Sequence, residues 1–143
     1  MGHRRKAREI ALQVLYQIDV TEVGVDEAVQ LFRDGFGIPE EAAEFSTQLI
    51  QCTADHLREI DDLIQACSEH WSLERMSKVD RNILRVAVSE FLYFDDIPPK
   101  VTLNEAIDIG KNYGSDNSGS FINGILDAIY SKLWGKDENH GIV

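Results

Sequence analysis

The chain has 143 residues, 43% of them hydrophobic, which is enough for one domain to bury a core without metals or crosslinks. No run of about 18 apolar residues occurs, which excludes a membrane-spanning helix. The formal net charge is −11, from 14 Lys and Arg against 25 Asp and Glu, and argues against nonspecific nucleic-acid binding by the whole surface.

The first predicted helix is Arg4 to Val20. Ala7, Ile10, Ala11, Val14, Leu15 and Ile18 recur at helical spacing and make a wide apolar stripe that needs a core. Beside it runs a second strip, Arg5, Arg8, Leu12 and Tyr16, with Arg4 and Lys6 leading in from the N-terminus. Glu9, Gln13 and Gln17 interrupt the apolar residues, unlike the core of a signal peptide, and the protein is read as cytoplasmic with no membrane partner. Gly24 breaks the pattern. Asp26 to Asp34 then reads as a short helix ended by Gly35, Gly37 and Pro39. Pro39 suits a first helical turn, followed by Glu40 and Glu41 where the helix dipole favours negative charge.

From Phe45 to about Glu69 the apolar residues keep helical spacing, and the length calls for a break near Thr53 to His56. After Trp71 and Ser72 the next helix starts at Leu73 or Ser77 and runs to Phe94. Beyond Ile83 it is apolar on nearly all sides, so it belongs at the centre. Pro98 and Pro99 stop it. Thr102 and Glu105 match a capping box, Ala106, Ile107, Ile109 and Gly110 give the following helix one apolar side, and Gly114 is placed as its C-terminal cap. A last helix uses Phe121, Ile122, Ile125, Leu126, Ile129, Tyr130 and Leu133. No period-two strands or repeats occur. The expectation is a single all-α domain of about seven helices in two small packed subdomains, about 1–70 and 71–134, with a frayed tail at 135–143.

No nucleophile elbow, HExxH helix, phosphate loop or dinucleotide fingerprint is present, so no enzyme and no cofactor is expected. Cys52 with His56, and Cys67 with His70, are spaced more loosely than structural zinc sites. Both cysteines read as buried small hydrophobes, and no metal site is assigned. Charge is unevenly spread. Through residue 20, Arg4, Arg5, Lys6 and Arg8 outnumber Glu9 and Asp19, whereas between 21 and 74 only Arg33 and Arg58 offset thirteen acids. A positive end on an acidic body focuses an anionic ligand on one place.

The basic strip has two readings. Arg and Lys at an N-terminus can simply solubilise, and Tyr16 can be a partly buried core ring. Alternatively, the guanidinium groups hold phosphates while Tyr16 stacks an unpaired base, as single-stranded RNA recognition requires. The loop Gly114 to Ser120 adds Ser118 before a helix N-terminus that attracts phosphate, with Phe121 next to it as a second stacking ring. Its plainer reading is N-capping by Asp116 or Ser118, with Phe121 as a core anchor.

Four segments together resemble the transcription antitermination factor NusB family. They are RRKAREIALQVLYQIDV, a Trp followed by DRNILRVAVSEF, DIPPKVTLNEAIDIGKNYG, and SGSFINGILD, and they span most of the chain in order. The resemblance implies an all-helical fold of two subdomains. It also implies binding of a single-stranded boxA element in ribosomal RNA transcripts, together with the small-subunit ribosomal protein NusE. That complex joins other Nus factors on RNA polymerase to suppress premature termination. Carried over by position, Arg4, Arg5, Lys6, Arg8, Tyr16, Ser118 and Phe121 would contact RNA, and Asp80, Arg81 and Arg85 the ribosomal protein. Asn117 stands where some members are expected to carry an acid. Self-association varies in the family, which leaves a homodimer open. Two rivals remain: a helical module of the kind attached to RNA cytosine methyltransferases, and a purely protein-binding scaffold.

Overall fold

Helix α1, Gly2–Thr21, buries Ala7, Ile10, Ala11, Val14 and Leu15, the stripe read from spacing. In this computed structural model, which describes residues 2–135, six further α-helices follow: α2 Val25–Phe36, α3 Glu40–Asp55, α4 Leu57–Ala66, α5 Lys78–Tyr93, α6 Pro99–Tyr113 and α7 Ser118–Trp134. A single turn of 3₁₀ helix, Leu73–Arg75, leads into α5. No described residue forms a strand, and no helix among the described residues is long and apolar enough to cross a membrane. All but the first residue of the expected tail lies outside the described residues.

The helix ends follow from the local sequence. Gly37 ends α2 at φ 77°, a left-handed conformation that glycine adopts without a Cβ clash. Ser77 caps α5, its Oγ accepting the Asp80 N–H at 3.0 Å. Pro99 takes the first position of α6, where a missing N–H leaves nothing unpaired. Gly114 does cap α6, and it is required there: a Cβ would lie 2.2 Å from Ser118 Oγ.

Two apolar cores result. Helices α1, α2 and α3 enclose Ile10, Val14, Leu49 and Ile50, together with Val86 from α5. Helices α4 to α7 enclose Ile60, Ile64, Leu84, Val88, Ile122, Leu126 and Ile129, together with Leu12 from α1. Helix α5 packs on α1, α3, α4, α6 and α7, which is the central position its apolar composition calls for. The break expected near Thr53 to His56 falls at His56, the single residue between α3 and α4. It lets Leu49 and Ile50 face the first core while Ile60 and Ile64 face the second. The cores therefore divide at this break rather than near residue 70, because α4 spends its apolar face on the second core. The capping box is also corrected. Thr102 and Glu105 lie inside α6, and their side chains turn away from its N-terminus to meet acidic and basic partners on α5 and α1.

Candidate nucleic-acid interface

The polar strip of α1 separates into a sealed part and an open part. Arg8 is only 4% exposed. Its Nε and Nη2 donate to Glu90 Oε2 and Oε1 at 2.6 and 2.9 Å, and Thr102 Oγ1 donates to the same carboxylate at 2.7 Å. Glu90 is itself buried in the last turn of α5, so this is a paired internal charge tying α1, α5 and α6 together. The expectation that Arg8 shares an open strip is thereby corrected, and Leu12 likewise turns inward to the second core.

The other basic residues stay accessible. Arg5 donates from Nη2 to Glu105 Oε2 at 3.0 Å and to Asp108 Oδ2 at 3.1 Å, and its Nε also bonds Glu105. The hydrogen bond with Arg5 holds the Glu105 carboxyl below its ordinary range, although burial pulls the other way. Arg4 sits 4.5 Å over the Phe45 ring and 3.5 Å from Asp96. Lys6 is exposed and has no ion pair among the described residues. Tyr16 is 40% exposed and lines an open recess of about 470 Å³ with Gln17, Leu31, Phe36, Val79 and Tyr113. Its ring therefore faces outward, which resolves the choice between core and surface.

The second wall is built differently from expectation. Ser118 is buried, and its Oγ accepts the Ser115 N–H at 2.9 Å, so it braces the loop between α6 and α7. Phe121 is half-buried against the second core. Neither Asp116 nor Ser118 caps α7, whose N-cap residue is Asn117, exposed and without a side-chain capping bond.

Two of the residues assigned to a protein partner, Arg81 and Arg85, belong to one seam. Asp19, near the end of α1, accepts two bonds of 2.7 Å from Arg81, one of 3.0 Å from Asn82 and one of 3.2 Å from Arg85. Arg85 also grips Asp61 of α4 at 2.8 and 2.9 Å. Burial alone would push Asp19 up, but the bonds from Arg81 and Asn82 and the two guanidinium charges hold it below its ordinary value. Asp80 is buried, and its Oδ1 has no hydrogen-bond partner among the described residues. Elsewhere, Cys52 Sγ lies 3.8 Å from His56 Nδ1, whose ring stacks on Tyr93 at 4.1 Å. Both cysteines are half-buried rather than buried as expected, and desolvation pushes both thiols up.

The family model for the NusB family matches residues 5–131 of this chain. The chain belongs to the NusB family. Transcription antitermination protein NusB of Syntrophus aciditrophicus is 55% identical over 142 residues, covering 99% of this chain and 88% of that one. The NusB protein of Desulfatibacillum aliphaticivorans is 49% identical over 138 residues, 96% of each chain. Among solved structures, NusB of T. maritima aligns at a TM-score of 0.83 with 39% identity over 96% of both chains. A chain from the crystal structure of antitermination factors NusB and NusE in complex with dsRNA aligns at 0.84 with 30% identity, covering 92% of this chain and 98% of that one. The all-helical expectation and the family resemblance are both borne out.

In this NusB-family chain, the sequence did not single out three of the acids that organise the cations, Asp19, Asp61 and Glu90, and it offered Glu105 only as a capping residue. One signal was available. Glu90 is a lone charge in the otherwise apolar VAVSEFLYF stretch, and a charge in a buried helix implies a buried counter-charge.

Proposed function

We propose that this chain binds boxA-type single-stranded RNA in ribosomal RNA transcripts jointly with ribosomal protein NusE, and with other Nus factors on RNA polymerase suppresses premature termination. The observation that carries this reading is the match over nearly the whole chain to a protein solved in a complex of antitermination factors NusB and NusE with RNA. The surface supports it. Exposed Arg4 and Lys6 and half-buried Arg5 supply phosphate contacts, and the outward ring of Tyr16 supplies a stacking platform. Arg8 fixes the helix from beneath, Ser118 shapes the late loop, and half-buried Phe121 follows it at the start of α7. Asp80, Arg81 and Arg85 are assigned to NusE, yet Asp80 and Arg85 are buried, so their part is to hold the α1–α4–α5 seam behind that contact, with both arginines oriented by Asp19 and Asp61. The protein acts by binding rather than catalysis, in the cytoplasm. No observation among the described residues favours the methyltransferase-module or scaffold readings.

The test is to titrate a labelled boxA-type single strand with and without NusE, using a duplex of the same sequence as competitor. Tighter binding with the partner is expected, as linkage requires. Log affinity should fall with log salt by roughly 0.7 per phosphate neutralised. Equal affinity with and without NusE would overturn the joint-binding reading.

A further inference from the structure

We propose that Glu105, Asp108 and Asp96 act as an internal stand-in for RNA phosphate, occupying Arg5 and Arg4 until a nucleic-acid backbone exchanges for them. The proposal rests on the reading of α1 as an RNA-binding helix, and it assigns a role to three acids that this reading leaves unused.

The first observation is geometric. Arg5 presents Nε and Nη2 side by side to the two oxygens of Glu105, the forked arrangement with which guanidinium also grips a phosphate. Asp108 takes a further bond from Nη2, and Asp96 stands against Arg4. Of the accessible cations assigned to RNA, Arg4 and Arg5 are thus already paired in the free protein, and Lys6 has no ion pair among the described residues.

Accessibility then separates pairs that can exchange from one that cannot. The Arg8–Glu90 side chains are 4% and 1% exposed, so opening that pair would strand a buried charge. Asp108 and Asp96 are 53% and 68% exposed, and Arg5 and Arg4 30% and 47%. Glu105 is less open, 24% exposed, and also stands 3.5 Å from Arg8 Nη1, so it keeps a partner when Arg5 leaves. The Asp108 and Asp96 pairs contribute little, because water and salt already compete with them, and a phosphate replaces these carboxylates at small expense. Arg4, Arg5, Asp96 and Glu105 line one open recess of about 290 Å³, so the incoming group has a place beside the cations. The direction of the proton equilibria agrees. The hydrogen bond with Glu105 raises Arg5 above its ordinary range, and Glu105 is held low, so both partners stay charged at neutral pH.

The consequence is a graded handicap. Every polyanion that reaches Arg4 and Arg5 meets the same three carboxylates, which lower binding by charge alone a few-fold. A strand that also stacks bases on Tyr16 regains that loss.

The test uses the full chain and a 12-nucleotide oligouridylate, which carries backbone charge and little sequence information. The paired variant E105Q/D108N and the separate variant D96N are each expected to bind about two- to five-fold more tightly than wild type at low salt. The salt slope should steepen by about 0.7 for each arginine released. Adding R5A to E105Q/D108N should cancel the gain. D96N changes an exposed turn residue, so it reports on Arg4 even if the paired variant folds poorly. Wild-type binding with no tighter binding and no steeper slope in either variant would overturn the exchange while leaving the RNA reading intact. Absence of RNA binding by wild type and variants alike would overturn both.

Discussion

Arg8 and Arg5 stand three residues apart on one helix and carry the same charge, yet their surroundings give them different work. Arg8 is enclosed with Glu90, so Arg8→Ala leaves a buried carboxylate in the last turn of α5 without its counter-charge, held by the Thr102 hydroxyl alone. A loss of about 3–5 kcal/mol is expected in denaturant unfolding, because breaking a buried pair from one side strands the other charge. Arg5→Ala, on the half-open pair, should lower stability far less. Tyr16 behaves in the opposite way to a core aromatic. Tyr16→Ala should weaken RNA binding by about 1–3 kcal/mol per stacked base, whereas the melting temperature should hardly move because the ring is 40% exposed. A large fall in melting temperature with unchanged RNA affinity would reassign Tyr16 to packing. None of these differences is visible in spacing. The period of α1 places Arg8 beside the stripe, and only Glu90, 82 positions later, draws it inside.

At the level of helices, the order, the central place of α5, the stop at the prolines and the break before α4 were all legible, since each rests on local periodicity or backbone restriction. The Thr102 and Glu105 pattern misled because a capping box and a pair of side chains reaching to other helices use the same residue types at the same spacing. The Asp19 seam joining α1, α4 and α5 was hidden for a related reason: its members are separated by 24 to 66 positions. Its pH dependence follows from the depressed Asp19 value. The stabilisation is fully present above 3.8, the ordinary aspartate value, and is lost as pH falls through the lower folded value. Glu105 adds a contribution of the same sign. Thermal melts from pH 6 downward should show stability falling below about pH 4. Asp19→Asn should start lower and fall less steeply over that range. A parallel pair of curves would remove Asp19 from the acid response.

Across the whole molecule, charge asymmetry and helix content were readable from composition, but the division of the cores was not. The short connection at Trp71 and Ser72 suggested a boundary near residue 70, whereas the apolar faces divide at His56, where no glycine or proline marks the chain. Helix α5 belongs to both cores, giving Val86 to the first and Leu84 and Val88 to the second. That shared helix has a consequence during synthesis. When α1, α2 and α3 have left the ribosome, the residues that close their core, Val86 and Phe94, and the carboxylate that neutralises Arg8, have not yet emerged to join them. At roughly 5–20 residues per second the first half of the chain waits a few seconds for α5. A nascent chain arrested with residue 70 just exposed should be digested throughout by protease, and one arrested past residue 95 should protect α1. Protection at residue 70 would mean that the first three helices close without α5. Otherwise the basic helix is assembled only once the middle of the protein has been made, so a truncated product presents no finished surface to RNA.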